Sequence, residues 1–280
     1  MPHPSSPPKP VTLFPSSPHP RPRRPVRSVE FSEGNKSFVV VTAPFQQQPV
    51  LIKIYDFNPE NQPTEPTLVI SDTKLPPHQK IQQIRWTAMN EHLIAGCEDG
   101  MLRAYNPKTG ECVREVDAHT KTIMNIQFNS EKTMFVTGAK DCLAKLFDAV
   151  TFECLKTYET DRPINTCAIS PLKLHVVTGG GQEAMSVTTT ASLAGKFEAR
   201  FFHLVYEDLF GLVKGHFGPI NFLAFHPDGK SFCSGGEDGY IRLQHFDESY
   251  FNMDDGRDSL ERSKAKAGGE GKDEGETKRQ

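Results

Sequence analysis

The sequence predicts an all-β fold built from about five short four-stranded sheets, and three observations carry that expectation. First, "AGCEDGMLRAYN" (95–106), "TGAKDCLAKLFD" (137–148) and "SGGEDGYIRLQH" (234–245) align with one another. Asp99 and Asp141 lie 42 residues apart, and Asp141 and Asp238 lie 97 apart, about two such periods plus an insertion. His119 to His216 is also 97 residues, so histidine and aspartate keep one phase. Second, apolar residues alternate at period two in "IQQIRW" (81–86), "IMNIQF" (123–128), "INTCAI" (164–169) and "INFLAF" (220–225), as in half-buried strands. Third, turn residues such as "HPDG" (226–229) punctuate these runs, and the core shows no sustained 3.6-residue period.

In chain order the repeats fall at 26–75, 80–117, 119–160, 163–214 and 216–251. The first holds "VRSVEF", "SFVVVTA" and "VLIKIYDF" but no histidine or tight-turn aspartate. In the second and third, the aspartate segment leads into a last strand, "GECVREV" (110–116) or "FECLKTY" (152–158). The fourth is the longest: "GGQEAMSVTTTASLAG" swells the turn between "HVVTG" (175–179) and "KFEARFFHL" (196–204). Residues 1–25 hold ten of the 22 prolines, three arginines and no acid, a composition expected to stay extended or disordered. Residues 254–280 carry eight acidic and seven basic side chains and read as a disordered or transiently helical tail. The expected domain organisation is therefore a tail, blades over 26–253, and a second tail.

A period of about 42 residues with four strands, Ala/Gly-His before it and an aromatic-Asp near its end resembles the WD40 repeat, at "AH" (118–119), "GH" (215–216) and "LFD" (146–148). One such sheet cannot cover both its faces, so sheets stack radially into a propeller. The resemblance implies that His119 with Asp141, and His216 with Asp238, hydrogen-bond within a blade in a structural role. A catalytic His/Asp pair is disfavoured because no nucleophile recurs with it. Where the repeat places tryptophan stand Tyr105, Phe147 and Gln244, so a full hydrogen-bonded tetrad is not expected at Phe147. Cys112 and Cys154, 42 residues apart, read as equivalent buried strand positions.

Composition narrows the classes. The formal net charge of −3 gives no global attraction to nucleic acid or membrane. No run of about 18 apolar residues occurs, and no secretory apolar segment opens the chain. The six cysteines form no C-x-x-C pair, which favours free thiols over disulfides or zinc. "GGGQEA" lacks the lysine of a phosphate-binding loop, and no nucleotide or hydrolase motif appears, so no catalytic residue, cofactor or metal is expected. "RPRRPVR" (21–27) could track phosphates, but no aromatic platform accompanies it and direct RNA binding is not expected.

Finer strings point to one family. "GGGQEA", "VTTT", "GKFEARFFH", "GHFGPIN", "FHPDGKSF" and "SGGEDGYIRL" resemble the subunit I family of eukaryotic translation initiation factor 3, from about Val26 to Met253. "YETDRP" (158–163) and the charged tail resemble fungal members more than animal ones. The resemblance implies a cytoplasmic, non-catalytic scaffold among the other initiation factor 3 subunits. It would bind the carboxy-terminal region of the factor's B component and engage its G component. It would meet the 40S ribosome indirectly, supporting 43S pre-initiation complex assembly, mRNA recruitment and scanning. Asp161, Arg162, Gln182 and Glu183 are the candidate partner contacts. The alternative is a WD40 adaptor in signalling, or an RNA-associated protein outside the complex. The family has seven blades, whereas the repeats here match its last five. The expectation is an incomplete, open ring from a truncated isoform or an incomplete gene model, with exposed end sheets.

Overall fold

A computed structural model describes residues 24–45, 49–71, 75, 79–181 and 197–253. These form five antiparallel sheets whose strands follow one another in chain order. The first contains β1 (Val26–Phe31), β2 (Ser37–Thr42), β3 (Leu51–Asp56) and β4 (Leu68–Ile70). The second contains β5 (Ile81–Trp86), β6 (Leu93–Cys97), β7 (Met101–Tyr105) and β8 (Cys112–Asp117). The third contains β9 (Ile123–Phe128), β10 (Met134–Ala139), β11 (Leu143–Asp148) and β12 (Cys154–Glu159). The fourth contains β13 (Ile164–Ile169), β14 (His175–Gly180), β15 (Phe197–His203) and β16 (Leu209–His216). The fifth contains β17 (Ile220–Phe225), β18 (Ser231–Gly236) and β19 (Ile241–His245), followed by the helix α1 (Glu248–Phe251).

The sheets pack in sequence because each is apolar on both faces. Ile52 and Ile54 of the first sheet bury against Ile84 and Trp86 of the second. Ile94 and Leu102 then meet Ile123 and Phe135 of the third. Leu146 and Tyr158 meet Ile164 and Phe202 of the fourth, and Phe201 meets Ile220 and Phe232 of the fifth. Five sheets in a closed ring would share five seams; among the described residues there are four. The architecture is an incomplete WD40 propeller, an open arc of five blades.

A polar ladder reinforces the seams. The first strand of each sheet leaves one backbone edge unpaired, and buried edge groups need partners. Ser28 Oγ accepts from the Ile84 N–H at 3.3 Å, and Gln83 Oε1 accepts from that of Ile126. Asn125 Oδ1 accepts from the Cys167 N–H at 3.1 Å, and Thr166 Oγ1 from the Leu223 N–H at 3.0 Å. Each acceptor is the residue just before the recurring edge position in the preceding sheet. Phe222 holds that place in the fifth sheet and offers no acceptor. Another rung skips a sheet: Gln127 of the third sheet donates to the Leu223 carbonyl of the fifth at 3.0 Å.

Close approach explains the glycines. A Cβ on Gly179 would lie 2.8 Å from Leu223 Cδ1 and 2.9 Å from Ile220 Cγ2, and Gly96 and Gly138 meet Ile123 and Ile164 in the same way. Gly180 is equally constrained, since a Cβ there would strike the Pro163 carbonyl oxygen. Of the triplet, Gly181 has a positive φ, 142°. Gly179 and Gly180 therefore serve tight packing. At the matching Gly235 the nearest atom is Phe222 Cβ at 3.9 Å. Overpacking predicts that Gly179→Val costs about 3 kcal/mol, roughly 10 °C in Tm, against a change near zero for Gly235→Val. Thermal denaturation of both variants checks this contrast.

Two expectations are corrected. The fifth sheet has three strands among the described residues, not four. After β19 the Asp247 side chain caps a short helix by accepting from the Tyr250 N–H at 3.1 Å. Phe246, Tyr250 and Phe251 then pack on the fourth and fifth sheets, so the chain does not return there as a strand. Cys112 and Cys154 do occupy equivalent positions, each opening a fourth strand, but Cys112 is half-buried and Cys154 is exposed. Only one face of these outermost strands is covered, which leaves the second thiol in solvent.

Candidate interaction surfaces

The recurring histidines and aspartates meet at the turns. His119 Nδ1 lies 3.0 Å from Asp141 Oδ2, and His216 Nδ1 lies 3.0 Å from Asp238 Oδ1. A carboxylate only accepts, so Nδ1 of His119 carries the proton, whereas Nδ1 of His216 also faces the Arg242 Nη1 donor at 2.9 Å. Asp141 also accepts from the Thr120 N–H at 3.0 Å and the Leu143 N–H at 3.1 Å, tying the blade-linking turn to the β10–β11 turn. Asp238 does the same with Phe217 and Tyr240 and also receives Arg242 Nη1 at 3.0 Å. Burial pushes the Asp238 carboxyl up, but these N–H donors and the His216 ring outweigh it and hold it well below the usual range. The second sheet replaces the histidine: Arg103 Nη2 grips Asp99 at 2.7 Å.

The structure adds a hydroxyl to each pair. Thr137 Oγ1 sits 2.7 Å from His119 Nε2, and Ser234 Oγ sits 2.8 Å from His216 Nε2. This corrects the expectation that no nucleophile recurs: both hydroxyls stand four residues before the aspartate. The order carboxylate, imidazole, hydroxyl matches a hydrolytic triad, whose hydroxyl must reach a substrate carbonyl. Thr137 and Ser234 are buried inside their sheets, which denies a substrate that access. Phe147 fills the place of a fourth member and supplies packing alone, stacked on Phe135 with centroids 5.3 Å apart.

Asp161 and Arg162 lie in the turn between β12 and β13. Asp161 is half-exposed, and its Oδ1 forms ion pairs with Arg200 and, at 3.4 Å from Nε, with Arg162. Arg162 is largely buried, turned into a small cavity beside Pro163, Thr178, Glu198 and Arg200. Of the two, Asp161 is the group presented to solvent. Gln182 and Glu183 lie outside the described residues.

Larger surfaces open at the ends of the arc. Ile241 and Leu243 are 83% and 61% exposed, whereas Leu102 is 1% exposed in the place of Ile241 and Leu146 is 1% exposed in the place of Leu243. At the other end Val29 is 51% exposed, against 0% for its counterpart Ile84. Each outer face has the composition of a seam without a sheet packed on it among the described residues. Among those residues no group of three His, Cys, Asp or Glu side chains could hold a metal ion. No described helix is long and apolar enough to cross a membrane.

Known proteins match this chain closely. The model of the family described as EIF3I matches residues 20–255. "Eukaryotic translation initiation factor 3 subunit I" of Xenopus tropicalis is 57% identical over 175 residues, which are 62% of this chain and 54% of that protein. The protein of the same name from Homo sapiens is 56% identical over 175 residues, with the same coverage. That from Anopheles gambiae is 56% identical over 172 residues, 61% of this chain and 53% of that protein. The chain thus spans about half the length of the curated relatives it matches. By the extent of the family match, it belongs to the EIF3I family.

Proposed function

We propose that the chain is a non-catalytic scaffold within the cytoplasmic eukaryotic translation initiation factor 3 complex. In this reading it docks the carboxy-terminal region of the factor's B component and engages its G component, supporting 43S pre-initiation complex assembly, mRNA recruitment and scanning. The observation that carries it is the identity of more than half over 175 residues to proteins named as a subunit of that factor. The geometry fits a scaffold: the seams and the polar ladder make a rigid arc, and the triad-like hydroxyls are inaccessible. A helix laid on the rim would place a basic side chain against Asp161, which Arg200 and Arg162 orient while half of it stays in solvent.

Anisotropy of a labelled carboxy-terminal fragment of the B component tests the docking. The expected result is saturable binding that Asp161→Lys weakens about tenfold, the worth of one charge-assisted contact. Unchanged binding by a variant of native Tm removes Asp161 from the contact. Absence of any binding by the wild-type chain contradicts the scaffold reading.

A further inference from the structure

A cleft of about 210 Å³ opens where the outer edge of the second sheet meets the third. Its floor is apolar, formed by Ala104, Ala149 and Phe152, and the exposed Val113 and Val150 stand on its rim. Arg114 also lines it, in an unusually fixed pose. Its Nη1 donates to the carbonyls of Val150 at 3.1 Å and Thr151 at 2.6 Å. Its guanidinium carbon lies 5.1 Å from the centroid of the Phe152 ring. No carboxylate of a described residue pairs with it. Arginine has five N–H donors, and Nη1 supplies two, so the clamp leaves Nε and Nη2 available.

The other charged groups at the cleft define what it accepts. Lys132 is already engaged, with Glu33 at 3.1 Å and the Trp86 carbonyl at 3.1 Å. His92 and Glu91 also line the cleft. Among the described residues lining the cleft, Arg114 is therefore the cation without a counter-charge, fixed beside an apolar floor. A pre-organised guanidinium loses little entropy on meeting a carboxylate, and stacking on an aromatic ring suits it to an interface.

We propose that this cleft docks an acidic–apolar segment of a partner protein, with a carboxylate on Arg114 and an adjacent aliphatic or aromatic side chain over Ala149 and Phe152. The surface lies on the second and third sheets, apart from the Asp161 turn, and does not depend on what docks at that turn. Glu91, which also lines the cleft, disfavours a second acid in the segment.

The test is anisotropy of the full chain with two fluorescein-labelled peptides, one with a single glutamate between leucines and one with glutamine in its place. The glutamate peptide is expected to bind saturably below about 1 mM. Arg114→Gln, and glutamine in the peptide, should each weaken binding about tenfold, and together no further. Arg114→Lys should recover part of the loss, because it restores charge without the planar fork. Val150→Asp leaves the Arg114 hydrogen bonds to backbone carbonyls available and should weaken the glutamate peptide about tenfold by repulsion. Equal binding of the two peptides, indifference to Arg114→Gln at native Tm, or no saturable binding overturns the proposal.

Discussion

Leu146→Asp is expected to leave no cooperatively folding protein, whereas Leu243→Asp, at the same position two sheets later, should change stability by less than about 1 kcal/mol. Leu146 pairs with Val136 in register and is buried in the seam with Ile164 and Phe202. Leu243 pairs with Cys233 in the same register but faces outward from the last sheet. An ionised carboxylate in the first site has no counter-charge, and such burial costs several kcal/mol. A domain has only about 5–15 kcal/mol to lose. Soluble yield and urea denaturation of the two variants compare them directly, and equal losses would show that Leu243 is packed.

The second large effect belongs to the histidine–aspartate turns. His119→Ala removes a buried ring that bridges Asp141 and Thr137, leaving both partners without it, and should cost about 3 kcal/mol. Asp141→Asn keeps the shape but loses the charge on three hydrogen bonds, for about 1–2 kcal/mol. Burial lowers the His119 pKa, and the nearby Asp141 carboxylate offsets this only in part. With its folded pKa below the unfolded value of about 6.5, the unfolded chain binds more protons as pH falls. The contribution of His119 is thus fully present above that value and is lost progressively on acidification. Urea midpoints at about pH 7.5 and 5.5 should diverge for the wild type and converge for His119→Asn.

Repetition makes the blades legible from the residues alone. Ile81, Ile123, Ile164 and Ile220 open the first strands of successive sheets, and Asp99, Asp141 and Asp238 mark their turns. The triad-like hydroxyls were equally legible, since Thr137 and Ser234 stand at one offset from those aspartates. Helix α1 also had a signal: Asp247 is a capping residue, and Phe246 and Phe251 hold the two places of a hydrophobic staple around it. Other features had none. The ladder joins residues 42–57 positions apart, such as Asn125 with Cys167 and Thr166 with Leu223, by contacts that exist only once sheets are stacked. The clamp on Arg114 likewise depends on carbonyls 36 and 37 residues away. The exposure of Cys154 was hidden because alternation within a strand does not tell which strand is outermost.

Among the described residues, the open arc of blades ends in two seam faces with no sheet packed on them. Maleimide labelling of one introduced cysteine in the native protein, with Cys112, Cys142, Cys154 and Cys233 replaced by serine and only the buried Cys97 and Cys167 retained, tests this most directly. Ile241→Cys and Val29→Cys should react nearly as fast as a free thiol, and Leu102→Cys and Ile84→Cys about a hundredfold more slowly, governed by opening of the seams. Protection of Cys at 241 and 29 as strong as that at 102 and 84 would contradict the open arc.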